Sequence, residues 1–491
     1  MSQMKPTSNP VRARIDAWFE LTARGSSFPR EFRGGFVTFF TMAYIVILNP
    51  LIIGTAKDVN GLFIGETTDV MLAMTMVASA TALVAGFLTI VMGAIGRFPM
   101  AMAAGLGLNG FVAFTLAPQM TWADAMGIVV IEGIVILLLV LTGFRSAVFT
   151  AVPEQLKYAI GVGIGLFIAI IGLVDAGIIR PGVPLVTFGS LGELSGWPMF
   201  VFVFGLLFTC VLLARKVRGA ILLGILAATA TAMIIEAIAR IGPRNSADGT
   251  INPVGWSLNV PALPSKVVSV PNLGLLGEFN LLGSWQAIGI LATILAIFSL
   301  TLSDFFDTMG TTFGLAGQAN LLDVKGQVPR FQSILIVDSL GAIAGGASST
   351  SSNTAYVESA SGIGEGARTG IASIVTGCLF IGAMFLTPLV TIIPSEAATP
   401  ALVVVAFLMM AQVRKIDFLD YQIGIPAFLT IILMPFTYSI TIGIGAGFVT
   451  WVTIKIFTGR VREISWLMWV VSCAFAVYFL ISPISNLLGV G

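Results

Sequence analysis

From Phe36 to the C-terminus the chain is a succession of apolar runs of membrane-spanning length, broken by short polar segments, with no room between them for a water-soluble domain. A helix needs roughly 20 mostly apolar residues to cross a bilayer, and inside lipid every backbone N–H and C=O must find a partner within the protein. These constraints predict an all-α polytopic membrane protein. Hydrophobic residues make up 57% of the 491 and charged residues 10%, against about 25% charged in soluble domains. The runs place spans at 34–55, 69–93, 101–117, 122–144, 153–173, 198–214, 218–240, 284–318, 331–346, 353–363, 368–392, 398–413, 421–436, 437–457 and 465–488.

The segment before the first span carries Lys5, Arg12, Arg14, Arg24, Arg30 and Arg33 and no continuous apolar stretch. That argues against a cleaved signal peptide and predicts a cytoplasmic N-terminus. Arg97, Arg145 and Lys157, Arg215, Lys216 and Arg218, Lys325 and Arg330, Arg368, Arg414 and Lys415, and Arg460 and Arg462 then fall on the same side. The connection 241–283, rich in Pro, Gly and Asn, is external and parts the chain into two halves. The final run, Trp466–Leu488, either crosses, which puts the C-terminus outside, or lies partly in the interface, or else two earlier runs form one broken helix, so the side of the C-terminus stays open.

The net charge of +1, with no clustered basic tract, excludes a nucleic-acid partner. Cys210, Cys378 and Cys473 sit in apolar runs without CxxC spacing, so neither a disulfide framework nor a metal site is expected. Histidine is absent altogether. Any proton coupling near neutral pH must then use carboxyl groups.

Three acids occupy bilayer depth: Asp304 and Asp307 in LTLSDFFDTMGTTFG and Glu358 in GASSTSSNTAYVESASG. An ionised carboxylate there costs roughly 3 kcal/mol or more, so it usually faces a cavity or partner and marks a substrate or ion path. Asp304, Asp307, Thr308 and Thr311 follow i, i+3, i+4, i+7 spacing and are predicted to share a helix face. Two acids so close repel when both are charged, which makes one a proton-carrier candidate. Glu358 follows Asn353, Thr354 and Tyr356 at the mouth of a short helix, where a carboxylate beside free backbone N–H groups suits a heterocycle edge bearing both donors and acceptors. Asp338 and Glu132 are further intramembrane acids, expected to support rather than touch a ligand, and Asn49, before Pro50, is open to either role.

The two halves correspond weakly. Each has a short third segment of small residues, Phe98–Phe114 and Ser348–Gly362, and Asn109 lies 75 residues past position 34 where Glu358 lies 74 past position 284. Seven spans per half make the second repeat enter from the opposite side, and paired Gly-interrupted segments in inverted repeats point to a midplane binding site. Both segments are therefore expected to be half extended, half helical, and to meet at the substrate. Asn109, flanked by Gly105, Gly107 and Gly110, offers a donor and an acceptor there.

With these residues in view, the chain resembles the nucleobase:cation symporter-2 (xanthine/uracil permease) family, in its AzgA-like adenine/guanine/hypoxanthine permease branch. The resemblance is carried by FVTFFTMAYIVILNP (36–50), AAGLGLNGFVAF (103–114), FFDTMGTTFGLAGQANL (305–321), NTAYVESASGIGEGARTG (353–370) and IPAFLTIILMPFTYSITIGIGAGF (425–448). It implies about 14 transmembrane segments in a 7+7 inverted repeat, with a cytoplasmic segment 1–33, core-domain halves 34–145 and 284–392, gate-domain halves 146–240 and 393–491, and the external connection 241–283. Matched position by position, it implies substrate contacts from Asn109, Asp304, Asp307 and Glu358. One departure is GEGAR (364–368), which places Glu365 where the branch often has a GGR-type run.

The expected function is purine nucleobase uptake by proton symport across the cell membrane, without cofactor or enzymatic activity and with a homodimer as a family expectation. The rivals are an anion transporter on the same fold, which three acids disfavour, and a carboxylate-lined metal-ion transporter. An intramembrane aspartyl protease would need its aspartates on different helices in a GxGD-like context, and both are missing here.

Overall fold

The computed structural model describes residues 10–143, 151–182, 185–189, 195–245, 251–263, 266–324 and 327–488, with the side chains of 10 and 481–488 excepted. Lys5, Arg145 and Lys325, three of the basic residues used above to assign sidedness, lie outside the described residues. Among those described, ten helices are long and apolar enough to cross a membrane and three more are apolar but shorter.

A short helix, α1 (Pro10–Phe19), precedes the first span, which is formed by α2 (Phe28–Met42) and α3 (Ile45–Ile53). Next come α4 (Val70–Val91), strand β1 (Met102–Ala104) leading into α5 (Leu106–Phe111), and α6 (Trp122–Leu141). Helices α7 (Glu154–Asp175), α8 (Trp197–Ala214) and α9 (Ala220–Ala239) complete the first half, with a small hairpin of β2 (Ile179–Pro181) and β3 (Val186–Phe188) after α7. The second half repeats the order: α10 (Ile290–Gln318), α11 (Phe331–Ala347), strand β4 (Asn353–Ala355) leading into α12 (Ser359–Gly364), and α13 (Gly370–Ala383). It closes with α14 (Pro400–Met410), α15 (Tyr421–Thr437), α16 (Ile440–Phe457) and α17 (Trp466–Leu488).

The helices pack in two sets. In one, α4 and α2 lie against α13, and α6 against α11 and α10; in the other, α7 lies against α14 and α15, α15 against α16, and α8 against α9 and α14. Small residues bring backbones close in the first set, the usual means of helix association where lipid removes the hydrophobic drive. A Cβ on Gly370 would stand 2.0 Å from the Gly93 carbonyl oxygen. At the start of α13, the fully buried Glu31 carboxylate accepts from the backbone N–H groups of Arg368 (2.8 Å), Thr369 (3.3 Å) and Ala372 (3.3 Å), and from the Ser26 hydroxyl (2.6 Å).

Several spans are less regular than their hydropathy suggests. The run 284–318 is a short helix, Gly283–Ala287, and then α10, parted by Gly289 at φ +81, a conformation open to glycine. The run 368–392 passes from α13 into a 3-10 segment, Met384–Ile392, that contains Pro388, which lacks the N–H an α-helix needs. The closing helix α17 packs into the molecule: Phe475 meets Phe448 of α16 and Phe298 of α10, each at 6.4 Å between ring centroids.

The loops assigned to one side do gather. Arg24 donates to the carbonyls of Arg97 (2.9 Å) and Arg368 (3.2 Å), Arg330 lies 3.8 Å from Glu20, and Lys415 stands over the Tyr158 ring at 4.5 Å. Glu365, the residue that departs from the branch pattern, pairs with Arg33 at 2.7 Å and with Arg218.

Candidate functional site

The two short segments meet in the middle of the molecule, as their composition predicts. β1 and β4 pair antiparallel, with Met102 opposite Ala355, Ala103 opposite Thr354 and Ala104 opposite Asn353, all buried. Each strand borrows its backbone partners from the other half, which is how irregular chain is tolerated at this depth. The crossing is locked by Tyr356 N–H to Ala101 O (3.0 Å), Gly105 N–H to Ser352 O (2.9 Å) and the Tyr356 hydroxyl to Ala104 O (2.7 Å). The chain reaches β4 through a turn so tight that a Cβ on Gly345 would lie 2.0 Å from the Ser351 carbonyl oxygen.

Glu358 stands where β4 gives way to α12. It is half-buried, its carboxylate does not cap the helix, and it accepts a short hydrogen bond from the Tyr44 hydroxyl. Tyr44 sits at the break between α2 and α3, which brings its ring to this point. The sequence reading passed over Tyr44. A signal was present: the chain has 6 Tyr against 35 Phe, so a tyrosine in the middle of a span is there for its hydroxyl.

Burial divides the predicted acid face of α10. Asp304 is fully buried, its carboxylate receiving the Ser352 hydroxyl at 3.2 Å, whereas Asp307 lies deep in the molecule but opens onto a cleft. Above Asp307 the same side of the helix is sealed by Ala296, Leu300 and Ser303; below it Gly310 and Gly314 have nothing within 4 Å of a Cβ position. Exposure along this side of α10 thus continues towards the Gln318 end, the side of the basic loops. On the other side, the Thr115 hydroxyl donates to Tyr438 O at 3.0 Å and ties the two helix sets together.

The other expected contacts are buried. Asn109 is fully buried and donates to the Asn49 side chain at 2.6 Å; Asn49 in turn donates to Thr81 (2.8 Å) and to Thr350 O (3.2 Å). This chain of amides ties the first three spans to the turn before β4 and leaves Asn109 Oδ1 without a donor among the described residues. Thr308 donates to Asp338 at 2.7 Å and lies 2.7 Å from the Thr354 hydroxyl, all three buried. Asn353 is used by its own turn, donating to Thr350 Oγ1 and Ser351 O at 3.1 Å. The structure brings together Glu358 and Asp307 at the cleft, with Tyr44, and gathers Asp304, Asp338, Thr308 and Thr354 behind it. Among the described residues none of these acids is ion-paired.

If Tyr44 orients the Glu358 carboxylate, Tyr44→Phe should weaken ligand binding about tenfold, the worth of one hydrogen bond to a charged group at the low end. Equilibrium binding to the purified protein checks this, and an unchanged affinity would leave Tyr44 a packing residue.

A bundle of membrane-length helices whose two halves cross at paired strand–helix segments, with buried acids at the crossing, defines a multi-pass membrane transport protein. The chain belongs to the xanthine/uracil permease family, described as a permease family, whose model matches residues 30–445. It is 39% identical over 476 residues to a putative permease of Methanocaldococcus jannaschii, covering 95% of this chain and 98% of that one. It is 34% identical over 475 residues both to the adenine permease AdeP of Escherichia coli (95% and 96% covered) and to the guanine/hypoxanthine permease PbuG of Bacillus subtilis (95% and 99%). In fold it is similar to the transmembrane domain of the cyanobacterial bicarbonate transporter BicA, with a TM-score of 0.56 at 14% identity, covering 85% of this chain and 96% of that one.

Proposed function

We propose that the protein takes up purine nucleobases, adenine, guanine or hypoxanthine, across the cell membrane by proton symport. The observation that carries this reading is the pair Glu358 and Asp307: two carboxylates at the floor of the cleft, close enough to interact electrostatically, with no ion-pair partner among the described residues. Such a floor offers acceptors and repels anions, so the anion chemistry named for the fold relative BicA does not suit it. A neutral heterocycle presenting N–H groups does. The relatives named as adenine and guanine/hypoxanthine permeases agree with a purine.

In this reading Glu358 and Asp307 bind the purine edge, and Asn109 acts through Asn49 and the turn before β4. The core domain, 34–145 with 284–392, moves against a gate domain, 146–240 with 393–491, and the protein works as a homodimer. Cross-linking in native membranes tests the last point.

Proteoliposomes should accumulate radiolabelled hypoxanthine, guanine or adenine under an inward proton gradient and lose the accumulation with a protonophore. Absence of any purine-dependent flux would overturn the reading. Inhibition by divalent metal ions, with metal uptake in place of purine uptake, would replace it with the metal-ion alternative.

A further inference from the structure

Behind the crossing lies a group of acids that the substrate reading does not use. Glu132 of α6 is fully buried and faces Asp304 of α10, their carboxyl groups within hydrogen-bonding reach. Yet both Glu132 oxygens and Asp304 Oδ1 are without a donor. A proton on the pair accounts for both facts. An ionised carboxylate accepts and never donates, so two of them cannot satisfy each other, whereas a protonated one donates to its neighbour.

The surroundings supply nothing else. The hydroxyls here carry one hydrogen each: Ser352 donates to Asp304 and Thr308 to Asp338, while Thr354 is shared between Thr308 and Asp304. None reaches Glu132. From the neighbouring elements the titratable groups are Asp304 and Asp307 on α10, Asp338 on α11, Tyr356 and Glu358 beside β4, and Tyr44 between α2 and α3. Both tyrosine hydroxyls are already committed, Tyr356 to Ala104 O and Tyr44 to Glu358. No lysine or arginine is ion-paired with any of these acids among the described residues. Nor do three acids or thiols there converge as metal ligands.

We infer that Glu132 and Asp304 share a resident proton, and that this pair, rather than the cleft acids Asp307 and Glu358, is the proton-coupling site. The inference deepens the purine-symport reading and rests on it for the word coupling; the resident proton itself does not. With one proton the pair is hydrogen-bonded and carries a single charge. Without it two adjacent buried charges repel directly behind β4, which carries Thr354 and leads to Glu358. Loss of the proton therefore acts on the strand that positions the ligand. Asp307, one helical turn beyond Asp304, is exposed where Asp304 is buried, so the pair lies directly behind a ligand-facing carboxylate.

The test uses full-length protein in proteoliposomes and a single variant, Glu132→Gln. Glutamine donates to Asp304 as the protonated acid does, so the variant should keep purine exchange within about threefold of wild type. It should lose gradient-driven accumulation, and its purine affinity should no longer fall as pH rises. Gradient-driven accumulation at the wild-type level, or an unaltered pH profile, overturns the proposal. Infrared spectroscopy of the wild-type protein at neutral pH is independent of both substrate and variant folding: it should show the carbonyl stretch of a protonated carboxylic acid, missing from Glu132→Gln. A wild-type spectrum without that band overturns the proposal even if purine transport is found. A band present in a protein that moves no purine leaves the shared proton standing and removes the substrate reading alone.

Discussion

Replacing Glu358 with glutamine should reduce purine binding by about 100-fold, roughly 2.8 kcal/mol. The size follows from what is lost. A hydrogen bond to a charged group contributes about 1.5–3 kcal/mol, and Glu358 is in contact with both the Tyr44 hydroxyl and the cleft. Glutamine keeps the shape and one acceptor but presents an NH2 group, which meets a ligand N–H donor head-on. The folded protein should be as abundant as wild type, because the Glu358 side chain caps no helix and pairs with no cation. Equilibrium binding of labelled purine to purified protein, beside its thermal stability, separates the two effects. Unchanged affinity would remove Glu358 from the site.

Glu31→Ala should have the opposite signature: little or no folded protein. Its carboxylate is the acceptor for three backbone N–H groups at the start of α13 and for Ser26, with no exposure to water. Each buried donor left unmade costs about 1–3 kcal/mol, so three of them amount to roughly 3–9 kcal/mol, a large share of the 5–15 kcal/mol by which proteins are typically stable. Glu31→Gln retains one acceptor oxygen and should fall between. Yield of monodisperse protein and its melting temperature measure both. A fully stable Glu31→Ala protein would mean that water takes over the three donors.

The general architecture was legible because a bilayer leaves so few solutions: apolar runs gave the helices, and two short runs of small residues marked the strand–helix crossing. Side-chain direction was less so. Successive residues advance about 100° around a helix, so Asp304 and Asp307 differ by only about 60°. Spacing alone places them together. What separates them is the neighbour each meets, Glu132 and Ser352 for one and the open cleft for the other. Asn109 carries a different ambiguity: its partner Asn49 is sixty positions away, and no local pattern announces that one amide will donate to the other. Glu31 carries no local signal in its basic N-terminal segment, because its burial is created by Arg368–Ala372, which come more than three hundred residues later.

That separation bears also on how the protein is made. Strand β1 ends at Ala104 and its partner β4 begins only at Asn353. At about 5–20 residues per second, a ribosome takes on the order of 10–50 s to cover the interval. Throughout it, the β1 backbone has donors and acceptors that lipid cannot satisfy. The nascent first half must therefore wait with this segment in contact with water or with the insertion machinery, and the translocation apparatus has to hold the half-built transporter until the second half arrives to close it.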